Sequence, residues 1–425
     1  MSKITGMNKV IEEITKRVVP SLAQRAQREK AISLFLQSLN KVVVNGEAIL
    51  GGSGAKDTWL AAAADIDIFV LYDYGKYAAR SMELSEMLES ALQSGFPNIK
   101  RERLHGSRDY FRMEYEGLWF EVVPILKISS AREAKNITDI SPLHARWINK
   151  SGKRLKDEIR LAKQFCKSQQ LYGAESYING FSGYVLEILV IYYGSFEKLL
   201  RAAVKWKEKE VVDAAGYYKS KNVLFELNKS KLVSPLIVID PVDKTRNAAA
   251  ALSLEKWKLF TQRAKEYLAK PSVRFFERAR ILVEKLQQEK RGKEIVYLEL
   301  ESLEGKEDVV GVKLLRVFEF LREGLGEFGV VESGWEWEGR VVMYFVVSLK
   351  ELDKKMVRGG PTVQMTEFAQ KFRAKYKDKA IFVKEGRLYA SVEREYTGLK
   401  EVVKVLLRDV YVRERVKKVD LVKVC

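Results

Sequence analysis

Hydrophobic spacing in the N-terminal third alternates between helical and strand-like periods. Apolar residues recur at helical spacing over residues 7–39, where Pro20 predicts a joint between two helices, and over residues 83–94. Runs rich in Val, Ile, Leu and aromatic residues predict strands at Val42–Leu50, Ile66–Tyr72, Tyr110–Tyr115 and Leu118–Ile128. Mixed helices and strands indicate an α/β region that ends near residue 143.

From residue 144 to 270 the pattern is helical. The apolar residues of Arg154–Gln169 lie on one side, which predicts an amphipathic helix. Tyr184–Tyr193 is apolar nearly all round and predicts a buried helix, although Glu187 interrupts the apolar run. Ser253–Leu268 predicts a further helix.

The last segment mixes both periods. Candidate strands are Ile295–Leu300, Val341–Val347, Ala380–Val383 and Leu388–Val392, and candidate helices are Val312–Glu323 and Leu399–Arg408. With a boundary at Pro271, the sequence predicts an α+β multidomain protein whose domains span residues 1–143, 144–270 and 271–425.

The composition of the 425 residues indicates a polyanionic partner. Lys and Arg number 75 against 57 Asp and Glu, a formal net charge of +18, which favours nucleic acid or an anionic membrane surface. A basic protein without such a partner is the alternative. The N-terminus lacks the apolar core of a targeting segment, and the longest apolar stretch, Tyr184–Phe196, is too short for a bilayer. We therefore expect a cytoplasmic protein with no membrane partner.

Few residues of the chain suit a soft metal. Two cysteines, Cys166 and Cys425, cannot build a disulfide framework, which fits a reducing compartment. With only two histidines, His105 and His144, a His/Cys zinc site is nearly excluded. Any metal is expected to be a hard cation held by carboxylates.

A glycine-rich turn follows the first predicted strand. Gly52, Ser53 and Lys56 lie in Gly-Ser-Gly-Ala-Lys-Asp-Thr. Such a turn leaves backbone N–H groups to bind phosphate oxygens, while Ser53 adds a hydroxyl donor and Lys56 a positive charge. The segment is not a Walker sequence, so an ordinary turn is the alternative.

Three carboxylates lie on two of the predicted strands. Asp65 and Asp67 alternate and therefore share one strand face, with Cα atoms ~7 Å apart, close enough to share a divalent ion. Glu121 is the one carboxylate of an otherwise apolar strand, where burial without a partner is costly. The three together indicate a two-magnesium site for phosphoryl transfer. A strand with one solvated face is the alternative for the aspartates.

These segments together resemble a known superfamily. Gly52-Ser53, then Asp65-x-Asp67 and a carboxylate before Val-Val-Pro, are similar to the DNA polymerase β-type nucleotidyltransferases. Further segments resemble the archaeal class I CCA-adding enzymes: Tyr172–Glu175, Gly180–Tyr184, Tyr193–Phe196 and Asp240–Asn247. The resemblance covers about residues 40–270 and is weaker beyond 271, where Met356–Pro361 and the hairpin near Gly386 are still similar. It implies a nucleotidyltransferase palm, a helical nucleotide-recognition domain and an α+β C-terminal domain that binds tRNA.

The resemblance also implies a reaction and the residues that perform it. The implied enzyme adds C, C and A from CTP and ATP to the tRNA 3′ end without a nucleic-acid template. The tRNA 3′-hydroxyl attacks the α-phosphate, and pyrophosphate leaves. The implied catalytic residues and ligands of two Mg²⁺ ions are Asp65, Asp67 and Glu121. The implied nucleotide-binding residues are Gly52, Ser53, Lys56, His144, Lys163, Tyr172 and Arg246, the last of which would choose the base. The oligomeric state stays open, with a homodimer as one alternative.

Two residues depart from the family pattern. Lys56 stands where arginine is usual, so a point charge replaces a bidentate fork and predicts looser phosphate geometry. Glu121 stands where aspartate is usual, and its extra methylene would shift the metal or the attacking hydroxyl and so lower the activity. Neither change removes the chemistry.

Three of the nucleotide-binding candidates have ordinary structural alternatives. The alternative for His144 is an ordinary histidine whose hydrogen bonds are satisfied within the protein. The alternative for Tyr172 is a residue that only packs in the core. For Arg246 the alternative is an ion pair with Asp240 or Asp243.

Basic and aromatic residues interleave near the C-terminus. Residues 351–425 hold 19 Lys and Arg against 11 Asp and Glu. Phe372 and Tyr376 are flanked by Lys371, Arg373, Lys375, Lys377 and Lys379. This pattern suits contact with an RNA backbone and stacking on bases. Alternatives for the whole chain are a poly(A) polymerase, an enzyme that adds only part of CCA, and an inactive RNA-binding homologue; three retained, mutually repelling carboxylates argue against the last.

Overall fold

The computed structural model describes residues 2–63, 65–218, 223–278, 280–290 and 292–425. The chain divides into two units, residues 1–279 and 280–425. Each unit combines helices with β-sheet, which confirms the predicted α+β class. Within the described ranges, no helix is both long and apolar enough to cross a membrane.

The first unit contains a five-stranded sheet, a three-stranded sheet and most of the helices. Its helices are α1 (Ser2–Val18), α2 (Leu22–Asn40), α3 (Gly52–Ala55), α4 (Tyr74–Tyr77), α5 (Leu84–Gly95), α6 (Ser141–Ser151), α7 (Lys156–Ser168), α8 (Gly183–Tyr193), α9 (Phe196–Ala203), α10 (Val223–Glu226) and α11 (Leu254–Ala269). Its strands are β1 (Gly46–Leu50), β2 (Asp65–Asp73), β3 (Arg101–Leu104), β4 (Tyr110–Tyr115), β5 (Leu118–Lys127), β6 (Glu210–Val212), β7 (Leu236–Asp240) and β8 (Asp243–Asn247). Short 3₁₀ helices lie at Ala78–Glu83, Ala131–Glu133, Ile137–Ile140, Lys229–Leu232 and Val273–Phe276.

The five-stranded sheet has the order β1-β2-β5-β4-β3. Only the β2–β5 pair is parallel; the other neighbours are antiparallel. One face is apolar and packs on α2 and α5, with the ring of Phe35 stacked between Phe96 and Phe120 at centroid distances of 4.6 and 4.3 Å. The strands and helices predicted for residues 7–128 are thus confirmed, with shifts of a few residues at their ends.

Helix α1 packs away from this sheet. Its buried residues, among them Ile14 and Val18, share a core with Phe165 of α7 and with Phe276. The proposed 1–143 domain groups α1 with the sheet instead. Its apolar stripe predicts that the helix buries one face, but it does not identify the partner, because many apolar surfaces fit such a stripe.

The segment from 144 to 270 is not wholly helical. Helices α7, α8 and α11 confirm the three predicted there, but β6, β7 and β8 form a small sheet that the sequence reading missed. The short run Leu236–Asp240 is buried throughout. A five-residue apolar run fits a buried helix as well as a buried strand, because it is too short to show a period.

The second unit is built from two antiparallel sheets of order β10-β11-β9-β15 and β12-β14-β13. Its strands are β9 (Glu294–Glu301), β10 (Val330–Glu338), β11 (Arg340–Val347), β12 (Lys355–Thr362), β13 (Ala380–Lys384), β14 (Arg387–Glu393) and β15 (Lys418–Val424). Its helices are α12 (Val283–Glu289), α13 (Glu307–Gly324), α14 (Thr366–Lys375), α15 (Leu399–Arg408) and α16 (Val410–Arg413), with a 3₁₀ turn at Gly326–Phe328. The predicted strands and helices are all present, whereas β10, β12, β15, α12, α14 and α16 were missed.

Candidate active site

The three candidate carboxylates lie on one face of neighbouring strands. Asp65 and Asp67 lie two residues apart on β2, and Asp67 is directly opposite Glu121 of the parallel strand β5. Paired residues of adjacent strands lie about 4.8 Å apart and point to the same side of the sheet. The fold therefore brings residues 56 positions apart in sequence to one surface, as the motif spacing predicted.

Arg112 also lies on the face of the three carboxylates, and the sequence analysis did not identify it as a site residue. Arg112 lies opposite Glu121 on β4. Its Nη2 lies 3.2 Å from Oδ1 of Asp65, and its guanidinium lies over the ring of Trp119, 4.6 Å from the centroid. The arginine thus partly neutralises the outer carboxylate of the face.

The inner carboxylate has an unfavourable electrostatic environment. Burial, reinforced by the negative charge of Asp65, raises the pKa of Asp67 although Lys56 and Arg28 act in the opposite direction. In the part of the chain that the structure describes, no three His, Cys, Asp or Glu side chains are gathered closely enough to hold a metal ion. The strand register therefore supplies oxygen ligands on a common face, but the side chains must rotate to share one ion.

The glycine-rich turn packs directly on Asp67. The backbone N–H of Gly51 donates to the carbonyl oxygen of Asp67 at 2.8 Å. Gly52 has a φ of +51°, and a Cβ there would lie 1.7 Å from Oδ2 of Asp67, so only glycine fits. The predicted open turn is in fact the single helical turn α3, with Ser53 as its second residue. The N–H of Ala55 donates to the carbonyl oxygen of Gly51 at 2.8 Å, so the N–H groups of residues 52–54 precede the first helical hydrogen bond.

Side chains of the following helices hold this segment by its carbonyl groups. The five consecutive carbonyl oxygens of residues 55–59 all accept hydrogen bonds from α6 and α7. In chain order the donors are Asn149 (2.8 Å), Lys156 (2.7 Å), Arg160 (2.8 Å), Lys163 (3.2 Å) and again Arg160 (2.9 Å). Because the carbonyl side of the segment is occupied, its position is fixed by the helices as well as by the sheet.

A buried carboxylate joins two of the candidate lysines. Glu187 of α8 is fully buried and accepts hydrogen bonds from Lys56, Lys163 and the hydroxyl of Thr58, each at 2.7 Å. Burial opposes the ionised form of Glu187, but the two ammonium groups outweigh burial and lower its pKa. Burial lowers the pKa of Lys163 to about 8. The sequence showed Glu187 only as an interruption of an apolar run.

A second buried carboxylate joins two further candidates. Oδ2 of Asp240 lies 3.1 Å from Nε2 of His144 and 2.6 Å from Nη1 of Arg246, and Oδ1 accepts from the hydroxyl of Tyr184 at 2.9 Å. The rings of His144 and Tyr184 are stacked at a centroid distance of 3.9 Å. Although burial opposes it, the hydrogen bond to His144 leads the contacts that lower the pKa of Asp240 to about 2. The ordinary alternatives considered for His144 and Arg246 are therefore both present as contacts.

The side chains around Glu187 and those around Asp240 are contiguous. Nζ of Lys56 lies 5.8 Å from the ring centroid of Tyr184, which links the Glu187 and Asp240 groups. Tyr172 closes the site near the start of α8: a Cβ on Gly183 would lie 2.7 Å from the Tyr172 hydroxyl and 3.5 Å from Cε of Lys163. All the candidate residues thus belong to one connected site in the first unit.

Helix α14 of the second unit carries four of the basic and aromatic residues predicted near the C-terminus, and the other three follow its end: Lys371, Phe372, Arg373 and Lys375 lie in the helix, and Tyr376, Lys377 and Lys379 come after it. The rings of Phe372 and Tyr376 lie 4.7 Å apart, and Nζ of Lys375 lies 5.5 Å from the Tyr376 centroid. Phe368 is 60% exposed, and Lys371 lies 5.9 Å from its ring. The cations of α14 and the ring of Phe368 are therefore exposed, whereas the rings of Phe372 and Tyr376 are half-buried.

Three family models match successive parts of the chain. They describe a nucleotidyltransferase domain (residues 29–144), the second domain of tRNA nucleotidyltransferases (157–277) and the C-terminal domain of CCA-adding enzymes (291–418).

Among curated proteins, the chain is similar to proteins named CCA-adding enzyme. The one from Nanoarchaeum equitans is 42% identical over 60% of this chain and 63% of its own length. Those from Methanosarcina mazei and Methanocaldococcus jannaschii are 32% and 30% identical over 82% and 94% of this chain and 77% and 91% of their own lengths.

Among solved structures, the chain is similar to Cid1, described as an RNA terminal uridylyl transferase. That match has a TM-score of 0.51 and 14% identity, and it covers 65% of this chain and 99% of Cid1. At this identity the match shows a shared fold.

Proposed function

Since the chain belongs to the CCA-adding enzymes and is a nucleotidyltransferase, we propose that it adds C, C and A from CTP and ATP to the 3′ end of tRNA. The observation that carries the proposal is the packing of Gly52 on Asp67, which joins a phosphate-binding segment to the carboxylate face. We also propose the division into domains 1–143, 144–270 and 271–425, in which helix α1 of the first domain packs on α7 of the second.

We propose two Mg²⁺ ions as cofactor, held by Asp65, Asp67 and Glu121. Two features fit this group: all donors are carboxylate oxygens on one sheet face, and burial raises the pKa of Asp67, so a bound cation would stabilise its ionised form. When bound, the ions would neutralise charge on the reacting phosphate and acidify the attacking hydroxyl. A bound metal ion would replace the Arg112 guanidinium as the partner of Asp65.

The remaining roles follow from the placement of the side chains. The N–H groups at the start of α3, Ser53 and Lys56 would bind the triphosphate and stabilise the charge that develops on the leaving pyrophosphate. Lys163 of α7 and Tyr172, whose hydroxyl lies beside Gly183 at the start of α8, would complete this site. Catalysis in such a site depends on positioning and on charge stabilisation.

His144 and Arg246 would contact the base. Both are attached to Asp240, and His144 is also stacked on Tyr184, so few rotamers are available to either side chain. A restrained arginine presents its donors in a fixed direction, which base selection requires. The ion pair with Asp240 is therefore compatible with the proposed role.

Incorporation of single nucleotides tests the function and its alternatives. Purified protein, Mg²⁺ and tRNA that lacks CCA are incubated with CTP, ATP or both, and the products are resolved by length. We expect two additions with CTP alone and three with both nucleotides. A long ATP-only product would indicate a poly(A) polymerase, a product that stops at CC with both nucleotides would indicate partial addition, and no product would indicate an inactive RNA-binding homologue.

We propose that α14 contacts tRNA phosphates. Replacing Arg373 and Lys375 by Ala should flatten the salt dependence of tRNA binding by a log–log slope of roughly 0.7–0.9 per lost phosphate contact. CTP affinity serves as the control and should not change. An unchanged slope would refute the contact. Cytoplasmic location and a homodimer stay predictions, and light scattering of the purified protein measures the oligomeric state.

A further inference from the structure

The face of the three carboxylates continues past Glu121 onto strand β4. Trp119 lies directly opposite Asp65 on one side and opposite Glu114 on the other, and Arg112 lies opposite Glu121. The guanidinium of Arg112 extends over the Trp119 ring, 4.6 Å from its centroid, and reaches Oδ1 of Asp65. The Arg112 side chain is 37% exposed and Trp119 is 39% exposed, so a cation supported by a ring is open to solvent beside the carboxylates.

An RNA end that approaches this face meets an excess of negative charge. Residues paired in register point to one side of a sheet, so four carboxylates project from this part of the face: Asp65, Asp67, Glu121 and Glu114. Phosphate groups and carboxylates repel each other. Arg112 is the one cation that the described strands place on this part of the face, because Lys127 lies at the far end of β5.

Cations of other elements also act on the two aspartates: Lys56, Arg28 and Lys167. Lys56 is bonded to Glu187, and Arg28 is buried with its donors on backbone carbonyl oxygens. Nζ of Lys167 lies 5.2 Å from the ring centroid of Tyr172, on the side of α7. These three cations therefore approach the carboxylates from other directions than the β4 side of the sheet.

The guanidinium of Arg112 retains donors for a further partner. Its hydrogen bond to Asp65, at 3.2 Å, is the one that this side chain makes among the described residues. A guanidinium carries several N–H donors in a planar fork, a geometry that matches the oxygen atoms of a phosphate group. The contact with the Trp119 ring restricts the orientation of the fork.

We propose that Arg112 binds the phosphate on the 5′ side of the last RNA nucleotide, and that Trp119 is a positioning residue that supports the guanidinium. The terminal 3′-hydroxyl is thereby held beside the carboxylates in spite of their charge. A metal ion that replaces Arg112 at Asp65 leaves the guanidinium free for this phosphate. The inference rests on the proposed function, because it takes the RNA 3′-hydroxyl as the group that reacts at the carboxylates.

A chemical double-mutant cycle tests the contact. The last phosphodiester of tRNA that lacks CCA is left intact or replaced by a neutral methylphosphonate, and filter binding with Mg²⁺ and without nucleotide gives the Kd. Arg112→Ala and the methylphosphonate should each raise the Kd roughly tenfold, the scale of one lost charge-assisted hydrogen bond. Together they should raise it little further, because both remove the same contact. Single-turnover CMP addition at subsaturating RNA should follow the same pattern.

Two outcomes of the cycle would overturn the inference. Losses that multiply would show that the arginine and the phosphate act independently, which would leave Arg112 as a counter-ion of Asp65 only. An unchanged Kd in both single changes would have the same meaning. Arg112→Gln replaces Arg112→Ala in the cycle if the latter does not fold, and Arg112→Lys should recover part of the affinity, because it keeps the charge but not the fork.

Trp119 should act only through Arg112. Trp119→Ala should raise the Kd for unmodified RNA by roughly two- to fivefold, the scale of an exposed cation–π contact, and Trp119→Phe by less. The same Trp119→Ala substitution should have no effect in the Arg112→Ala background. An equal loss in both backgrounds would remove Trp119 from the proposal.

Two matched variants control the cycle. Arg103 of β3 is 32% exposed and paired with Asp109 at 2.9 Å, on the opposite face of the sheet. Arg103→Ala should lower the Tm without changing the ratio of the Kd values of the two RNAs. In Lys167→Ala the loss caused by the methylphosphonate should persist in full; its disappearance there, with a full loss in Arg112→Ala, would assign the phosphate to α7 and refute the inference.

The same RNAs separate the inference from the proposed function. Wild-type protein that adds no CMP to the unmodified RNA would refute the proposed function. Losses that multiply in an enzyme that adds CMP refute only the inference.

Discussion

Asp67 and Glu187 both contact the segment that follows β1, yet their electrostatic surroundings are opposite. Burial raises the pKa of Asp67, and the opposing charges of Lys56 and Arg28, which outweigh that of Asp65, offset the effect of burial only in part. Burial also opposes the charge on Glu187, but two ammonium groups in direct contact lower its pKa below the usual range. At Asp67 the nearby cations thus fail to offset the cost of burial, whereas at Glu187 two ammonium groups in direct contact exceed it.

The difference assigns the two carboxylates different tasks. A buried carboxylate without a full counter-charge remains open to an external cation, which suits Asp67 for metal binding. A carboxylate already held by two lysines and a hydroxyl has no need of one, which suits Glu187 for positioning. The same side-chain chemistry would thus serve metal binding or positioning according to its neighbours.

The largest effect expected is on catalysis, at Asp67. Asp67→Ala should lower CMP incorporation at least about a thousandfold, since a cation in such a site supplies several kcal/mol. Affinity for tRNA, measured by filter binding, should stay within a few-fold, and Asp65→Ala should behave alike. Full activity of either variant with Mg²⁺ would remove the basis of the comparison.

The free energy of unfolding should change more on replacing Glu187 than on replacing Asp67. Glu187→Ala leaves two ammonium groups facing each other in a buried position and should lower the free energy of unfolding by about 3–5 kcal/mol. Asp67→Ala removes a charge that burial disfavours, so its loss of stability should be much smaller. Urea unfolding of both variants at pH 7 checks the contrast, and equal losses would show that the two environments do not differ as described.

Variants of Glu121 test whether the third carboxylate is also a metal ligand. Glu121→Asp should retain activity because it restores the usual ligand of the family, whereas Glu121→Gln should lose most of it because the charge is lost. Single-turnover rates of CMP addition over a Mg²⁺ series measure both variants. A Glu121→Gln enzyme as active as wild type would make Glu121 a structural residue.

Arg246 tests whether an anchored cation also selects the base. Arg246→Ala should lower the use of CTP and ATP and narrow their margin over UTP and GTP by ~1–3 kcal/mol, or roughly 5- to 150-fold. The measurement is kcat/KM for all four nucleotides together with a melting curve. Equal losses for all four would leave only the ion pair with Asp240.

The smallest effect concerns the acid stability provided by Asp240. Its pKa falls from the usual 3.8 to about 2, so its stabilising contribution is complete above the usual pKa and is lost as the pH falls through the lower value. The stability difference between wild type and Asp240→Asn should therefore shrink between pH 5 and pH 2, by at most about 2 kcal/mol. Urea titrations at both pH values measure it, and a constant difference would contradict the assigned pKa.

The sequence predicted those features that depend on residues close together in the chain. The Asp-x-Asp spacing placed two carboxylates on one strand face, and the apolar runs located β2, β4 and β5 correctly. The contacts of Glu187 were not predictable in this way. Glu187 lies 129 and 131 residues along the chain from Thr58 and Lys56, and 24 residues from Lys163. An interrupting charge in an apolar helix was the one available signal that a partner had to exist.

Long-range packing also limited the prediction of the fold. The stripe of α1 showed a buried face but not that Phe165 and Phe276 would cover it. The run Leu236–Asp240 fits helix or strand until β6 and β8 are placed beside it. The rotamer of Asp65 likewise depends on Arg112, a residue of another strand.

The hydrogen bonds to the carbonyl groups of residues 55–59 have a consequence for the order of folding. Their donors lie between 94 and 105 residues further along the chain. Contacts over such separations form after local ones, because the intervening chain must first lose its entropy. The segment that would bind phosphate therefore acquires its final shape only after α6 and α7 have docked. A nascent chain that ends before α7 would therefore contain the β2–β5 carboxylates while residues 56–59 still lack their hydrogen bonds from α7.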